Sequence, residues 1–196
     1  MADYLNAVVT LVVGAIALLV YRLTRRAERR NAAIIVLMDI RRAEDVIQAT
    51  LQKGFIDMSM RVIMTENNWA KYKHLFADKF SHDDFKAFNL FFDSCYEIED
   101  ARRRVRDVFN ANLIAKATAV QEMLLRNLEG DDGVRKAKRE SIIESVNSEE
   151  YAFDPREPKK RIFQEILIIN KLSGTTAFEK LKRIAEERLS QARLNS

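Results

Sequence analysis

The chain has 196 residues, of which 47% are hydrophobic and 32% charged, with a formal net charge of +4. That is enough for one packed domain plus an appendage, and too apolar for a disordered chain. Five glycines and two prolines are too few for the turns of a β-sandwich or barrel, so the composition predicts an all-α protein, and the lone Cys95 excludes an intramolecular disulfide and a multi-cysteine zinc site.

From Leu5 to Leu23 the only polar positions are Asn6, Thr10, Tyr21 and Arg22. As a helix these residues would rise about 28 Å, close to the hydrocarbon thickness of a bilayer. A cleaved signal peptide would carry basic residues before the apolar run, whereas here Asp3 precedes it and the first cation is Arg22. The small-x-small triplet Ala15-Ile16-Ala17 is followed by Leu18, Leu19 and Val20, which continue the run past any cut. A single transmembrane anchor over residues 1–23 is therefore expected, in preference to a cleaved signal or a buried core helix. Arg22, Arg25, Arg26, Arg29 and Arg30 mark its inner edge, with a basic juxtamembrane collar over 24–31. Basic flanks stay in the cytosol, so the N-terminus should lie outside and the body inside, with the collar on anionic headgroups. The lone cysteine fits a reducing compartment for that body. Ala7, Thr10, Gly14 and Ala17 are spaced 3, 4 and 3 apart on one helix face. Small residues let helices approach in lipid, so this face predicts a contact between copies.

Charge divides the remainder. Residues 32–153 hold 18 basic against 21 acidic side chains, and residues 154–196 hold 10 against 6. The expected division is an acidic helical domain over 32–153 and a basic helical tail over 154–196. In the tail, Arg156, Lys159, Lys160, Arg161, Lys180, Lys182 and Arg183 predict docking on the acidic body, contact with anionic lipid, or an ordinary charged outer face. No nucleic-acid partner is expected. The densest arginine cluster, Arg102, Arg103, Arg104 and Arg106, lies among Glu97, Glu99, Asp100 and Asp107 at spacings that pair Glu99 with Arg103 and Asp100 with Arg104. It reads as a solvated, self-paired face.

In chain order, Ala33, Val36, Ile40, Ala43, Ile47 and Leu51 form one helical face that should end at Gly54. With no Gly or Pro between Val20 and Lys53, anchor and helix are expected to form one rod, which could continue between copies as a coiled coil. The run Ala32 to Met38 is apolar on all sides and is expected to be enclosed by partners. "FIDMSMRVIM" alternates like a strand but has no second strand to pair with, so it reads as helix or irregular connector. Asn67 or Asn68 caps a short helix bearing Trp69, Tyr72 and Phe76, read as core rather than as a docking stripe. Ser81 caps a long helix with the stripe Phe85, Phe88, Phe92 and Cys95, continued by Ile98, Val105, Phe109, Leu113, Val120, Leu124 and Leu128. Any bend is expected at Asn110 or Asn112. Gly130 to Gly133 read as a turn, Val134 to Ser148 as a polar helix, "DPREPKKR" as a loop and "IFQEILIIN" as a short apolar helix stopped near Gly174. Thr176 with Glu179 suggests a capping box for a last helix whose Phe178, Leu181, Ile184 and Leu189 lie on or near one side. The whole describes an irregular cytosolic helical bundle with long helices behind a single transmembrane helix.

Chemistry finds little to stand on. His82-Asp83 resembles the metal-binding dipeptide of HD-type phosphohydrolases, but that family needs further His and Asp ligands on separate helices, and only His74 remains. No Glu-x-x-His or His-Glu-x-x-His pattern is present, and "GDDG" fits neither a phosphate loop nor a calcium loop. Cys95 sits on an apolar stripe with no cation to lower its pKa, and Asp93, Glu97 and Asp100 read as an outer charged face rather than paired catalytic carboxylates. No catalytic residue, metal or cofactor is expected. The favoured reading is a non-enzymatic, single-pass module for interaction or assembly, with itself or another protein, at the cytosolic membrane face. A membrane-active effector or regulator, for example of a phage-defence or stress system, comes second. An enzyme with an unrecognised site and a tethered nucleic-acid binder follow.

Overall fold

A computed structural model describes the backbone of residues 2–126, 132–148 and 155–187, and the side chains of these residues from Val9 onward. Among the described residues there is no strand. The elements are α1 (Ala2–Lys53), α2 (Asn68–Tyr72) with a 3-10 turn (Lys73–Phe76), α3 (His82–Arg126), α4 (Asp132–Ser148), α5 (Arg156–Ile168) and α6 (Thr176–Glu186). The all-α class is found. The "FIDMSMRVIM" stretch is irregular, with Ile56, Ile63 and Met64 buried and Met58 exposed.

α1 is one continuous helix of 52 residues. It stops where Gly54 takes φ +71, a conformation costly for any residue with a Cβ, and returns its N–H to the Thr50 carbonyl at 3.1 Å. Ala33, Val36, Ile40, Ala43 and Ile47 are buried as their spacing predicts, whereas Leu51 is exposed. The enclosure expected for Ala32 to Met38 is not found. Ala32, Ala33, Val36 and Leu37 are buried, but Ile34, Ile35 and Met38 face outward because only one side of α1 is packed. Among the described residues no helix is long and apolar enough to cross a membrane. The side chains of residues 2–8, which include Leu5 to Val8 of the expected span, lie outside the described ones.

The described residues fall into two compact units, one from 1–47, 63–96 and 169–196, the other from 48–62 and 97–168. The stretches 32–153 and 154–196 each contribute to both.

In the first unit the packed face of α1 meets an aromatic core. Trp69 is 1% exposed, and its ring centroid lies 4.5 Å from Phe88, 5.4 Å from Phe85 and 6.0 Å from Phe76. Its indole N–H donates to Asn89 Oδ1 at 2.8 Å. Phe76 is buried with it and Tyr72 half-buried. Asn67 caps α2, accepting from the Ala70 N–H at 2.9 Å. At the start of α3, Ser81 and Asp84 cap reciprocally: Ser81 N–H and O–H both donate to Asp84 Oδ2 at 2.8 Å, and Asp84 N–H donates to Ser81 Oγ at 3.3 Å. Phe88, Phe92 and Cys95 are buried as expected, and Phe91 joins them. α6 is capped by Thr175, not Thr176. Gly174 at φ +87 turns the chain so that the Thr175 hydroxyl accepts from the Phe178 N–H at 3.2 Å. Phe178, Leu181 and Ile184 are buried, and Leu189 lies outside the described residues. Glu44 on α1 pins the preceding loop by accepting the backbone N–H groups of Leu172 and Ser173, each at 2.9 Å.

Lys180 of α6 donates to Asp84 Oδ2 at 2.5 Å. Burial works to raise the Asp84 carboxyl pKa, but the Lys180 ammonium and the Ser81 donors outweigh it and hold the group below its ordinary value of 3.8. A depressed folded-state pKa means stability that is complete above the unfolded pKa, about 3.9, and lost as pH falls through the folded value. Asp84→Asn should therefore flatten the acid limb of stability below about pH 4 relative to wild type. Parallel urea titrations at pH 3 and pH 6 measure this, and an unchanged difference between the two pH values would contradict it.

In the second unit, Ile98, Ala101 and Val105 of α3, Val146 of α4 and Ile162 and Ile166 of α5 form the core. α3 continues without interruption through Asn110 and Asn112, the positions at which any bend was expected to fall. Its apolar stripe thins past Val105, with Phe109, Val120 and Leu124 half-buried and Leu113 exposed. Leu128, Gly130 and Asp131 lie outside the described residues, while Asp132 and Gly133 belong to the first turn of α4 rather than to a turn before it. Of the proline segment read as a loop, Asp154 lies outside the described residues and Pro155 precedes the helix, while Arg156 to Arg161 are the start of α5. Pro158 is its third residue, where the backbone N–H would have no helical acceptor, and Lys159 N–H reaches the Pro155 carbonyl at 3.1 Å.

Candidate functional site

The most unusual surface lies at the N-terminal end of α1. From Val9 to Glu28 every side chain is exposed. Leu11 is 73% exposed, and Val13, Ile16, Leu19 and Leu23 are open alike. Residues 9–23 alone, as helix, form an apolar rod about 22 Å long. Soluble monomers rarely leave so large a continuous apolar surface open, and such surfaces mark contact with lipid or protein. Thr10, Gly14 and Ala17 lie on this rod, while the side chain of Ala7 is outside the described residues. A Cβ built on Gly14 meets nothing within 4 Å.

The collar arginines differ in their surroundings. Arg25 donates to the Tyr21 hydroxyl at 3.0 Å and stays exposed, as does Arg22. Arg26 pairs with Glu187 at 2.9 Å and Arg29 with Asp78 at 3.1 Å, so the collar is joined to carboxylates of the first unit. The Nε groups of Arg29 and Arg30 are shielded from solvent without an acceptor among the described residues. Just beyond, Ile34, Ile35 and Met38 extend the open apolar surface along α1.

Several tail cations lie against their own units. In the second, Arg161 donates to Glu97 and lies 3.6 Å from Asp100, and Lys159 sits 5.3 Å from the Phe109 ring centroid. In the first, Lys180 holds Asp84, while Lys182 lies 4.0 Å from Glu179 on its own helix. Arg156, Lys160 and Arg183 are exposed. The outer charged face expected around Glu97 and Asp100 is thus engaged by α5. The arginine cluster is only partly solvated. Arg103 and Arg104 pair with Glu99 and Asp100 at 3.3 and 3.0 Å as their spacing predicts. Arg102, however, is buried and forms a two-pronged bond to Glu99 at 2.8 and 2.7 Å. That bond holds the guanidinium pKa above its ordinary value.

Among the described residues no three His, Cys, Asp or Glu side chains gather closely enough to hold a metal ion. His74 and His82 are exposed, His82 in the first turn of α3. Burial, with the Glu44 charge adding to it, pushes the Cys95 thiol pKa up to about 12, which leaves no thiolate for nucleophilic work. The chain matches no protein family, no curated protein and no solved structure. One feature escaped the sequence reading: Arg135, Lys136, Lys138 and Arg139, taken as part of a polar helix, line a cavity with leucines of α3. The signal was available in the spacing, because Arg135, Lys138, Arg139 and Ile142 share one helical face.

Proposed function

We propose that the protein is a single-pass, membrane-anchored, non-enzymatic helical module that assembles with itself, or docks a protein partner, at the cytosolic face. The observation that supports this is the wholly exposed apolar stretch of α1 from Val9, bounded by arginines and running without a break into the core helix of the first unit. In the sequence the charge-free run begins earlier, at Tyr4, and reaches Tyr21. Read from the sequence, Leu5 to Leu23 would be about long enough to span a bilayer, which would put Arg22, Arg25, Arg26, Arg29 and Arg30 on anionic headgroups and the N-terminus outside. A reporter active only in the cytosol should work when fused after Ser196, and one active only outside should work before Met1. Reversed activities would sink the orientation, and recovery of the full chain in the soluble fraction would sink the anchor.

Self-assembly would use the Ala7, Thr10, Gly14 and Ala17 face in lipid and, beyond the collar, the exposed Ile34, Ile35 and Met38. Because a side chain at residue 14 has open space around it, Gly14→Leu leaves the single chain unstrained and perturbs only a neighbour. Single-molecule counting in membranes should show the oligomer fraction falling several-fold for this variant with insertion unchanged. Equal fractions would remove the anchor from any assembly.

A further inference from the structure

We infer that the cavity between α3 and α4 binds a phosphate monoester of an aliphatic chain, a small anionic amphiphile. The cavity has a volume of about 460 Å³ and is lined by Gln121, Leu124 and Leu125 of α3 and by the cationic face of α4. That volume lies in the range of small-ligand sites. Its two walls differ in kind. Leu125 is 62% exposed and Leu124 half-buried, and with Ile142 they give an aliphatic surface. Against it stand Arg135, Lys136, Lys138 and Arg139, all exposed. Among the described residues only Arg135 has an ion-pair partner, the fully exposed Asp132 at 3.9 Å.

Four cations on little more than one helical turn repel one another, and a ligand carrying negative charge relieves that repulsion. Two arginines present planar forks that match phosphate oxygens, and the two lysines add point charges suited to a doubly charged head. The lining contains no aromatic side chain, so a base or sugar ring has nothing to stack on. Leu124, Leu125 and Ile142 instead favour an alkyl chain continuing from the head. The combination selects head and chain together: inorganic phosphate uses only the cations, and a neutral alcohol only the leucines.

Hexyl phosphate, which is monomeric in water, tests this by isothermal titration calorimetry on the full chain in phosphatidylcholine nanodiscs, with empty nanodiscs subtracted. It should bind at least tenfold more tightly than inorganic phosphate and than hexanol. Lys138→Gln with Arg139→Gln should weaken it tenfold or more. Leu125→Gln should reduce its affinity to that of inorganic phosphate. These side chains are exposed, so unchanged circular dichroism is expected for both variants. Equal binding of hexyl phosphate and inorganic phosphate would overturn the inference, as would affinities unaffected by either variant. Charge-variant-sensitive binding of phosphatidic acid in the nanodisc, without binding of hexyl phosphate, would overturn it in favour of a membrane contact.

Discussion

Trp69→Ala should destabilise the first unit by about 3–5 kcal/mol, enough to unfold a marginally stable domain near body temperature. The indole is 1% exposed and has five phenylalanine rings around it, from Phe88 at 4.5 Å to Phe92 at 6.4 Å. Truncation removes its transfer free energy, leaves a void that neighbours on the 3-10 turn, on the segment after it and on α3 cannot close together, and strips Asn89 of the N–H it accepts. Differential scanning calorimetry of wild type and variant measures the loss. A cost below about 1 kcal/mol would show that the aromatic cluster repacks freely and that the core is set elsewhere.

Glu99→Ala should cost about as much in the second unit, about 3–5 kcal/mol, for an electrostatic reason. The Glu99 side chain is 5% exposed and that of Arg102 8%, so removing the carboxylate strands a guanidinium that can neither reach water nor lose its proton. The neighbouring pair supplies the control. Arg104 is 61% exposed, and Arg104→Gln should change stability by no more than about 1 kcal/mol despite its 3.0 Å contact with Asp100. Replacing Glu99 and Arg102 together by leucine should recover most of the loss, since the cost lies in the unpaired charge rather than in the missing bond. Urea unfolding of the three variants, with amide exchange along α3 to locate the effect, separates these cases. A single-variant cost near that of Arg104→Gln would mean that water enters the pair.

What the sequence made legible was local. Gly54 ending α1, a cap at Asn67 or Asn68, Ser81 as a cap, and the Phe88, Phe92 and Cys95 stripe all depend on residues within a turn or two of one another. Each followed from spacing alone. Thr176 was the cap that its spacing to Glu179 favoured, and the backbone turn at Gly174 gives the role to Thr175 instead. The burial of Arg102 and the reach of Arg161 to Glu97, 64 positions away, depend on which helices pack together, and no periodicity carries that information. The open side of Ile34, Ile35 and Met38 was missed for the same reason: an all-round apolar run states that partners are wanted, not that this chain supplies them. Of the candidate sites, the rod and collar were visible as composition. The cationic cavity needed α3 and α4 side by side.

The chain has one tryptophan, and the structure places it wholly inside one of the two units. Its emission should therefore be blue-shifted and insensitive to aqueous quenchers while residues 63–96 hold their fold against α1, whatever happens in 97–168. Far-ultraviolet ellipticity, summed over every helix, registers both units. A noncoincidence of the two melting curves would then be an optical map of which unit gives way first, obtained from the natural sequence without any added label.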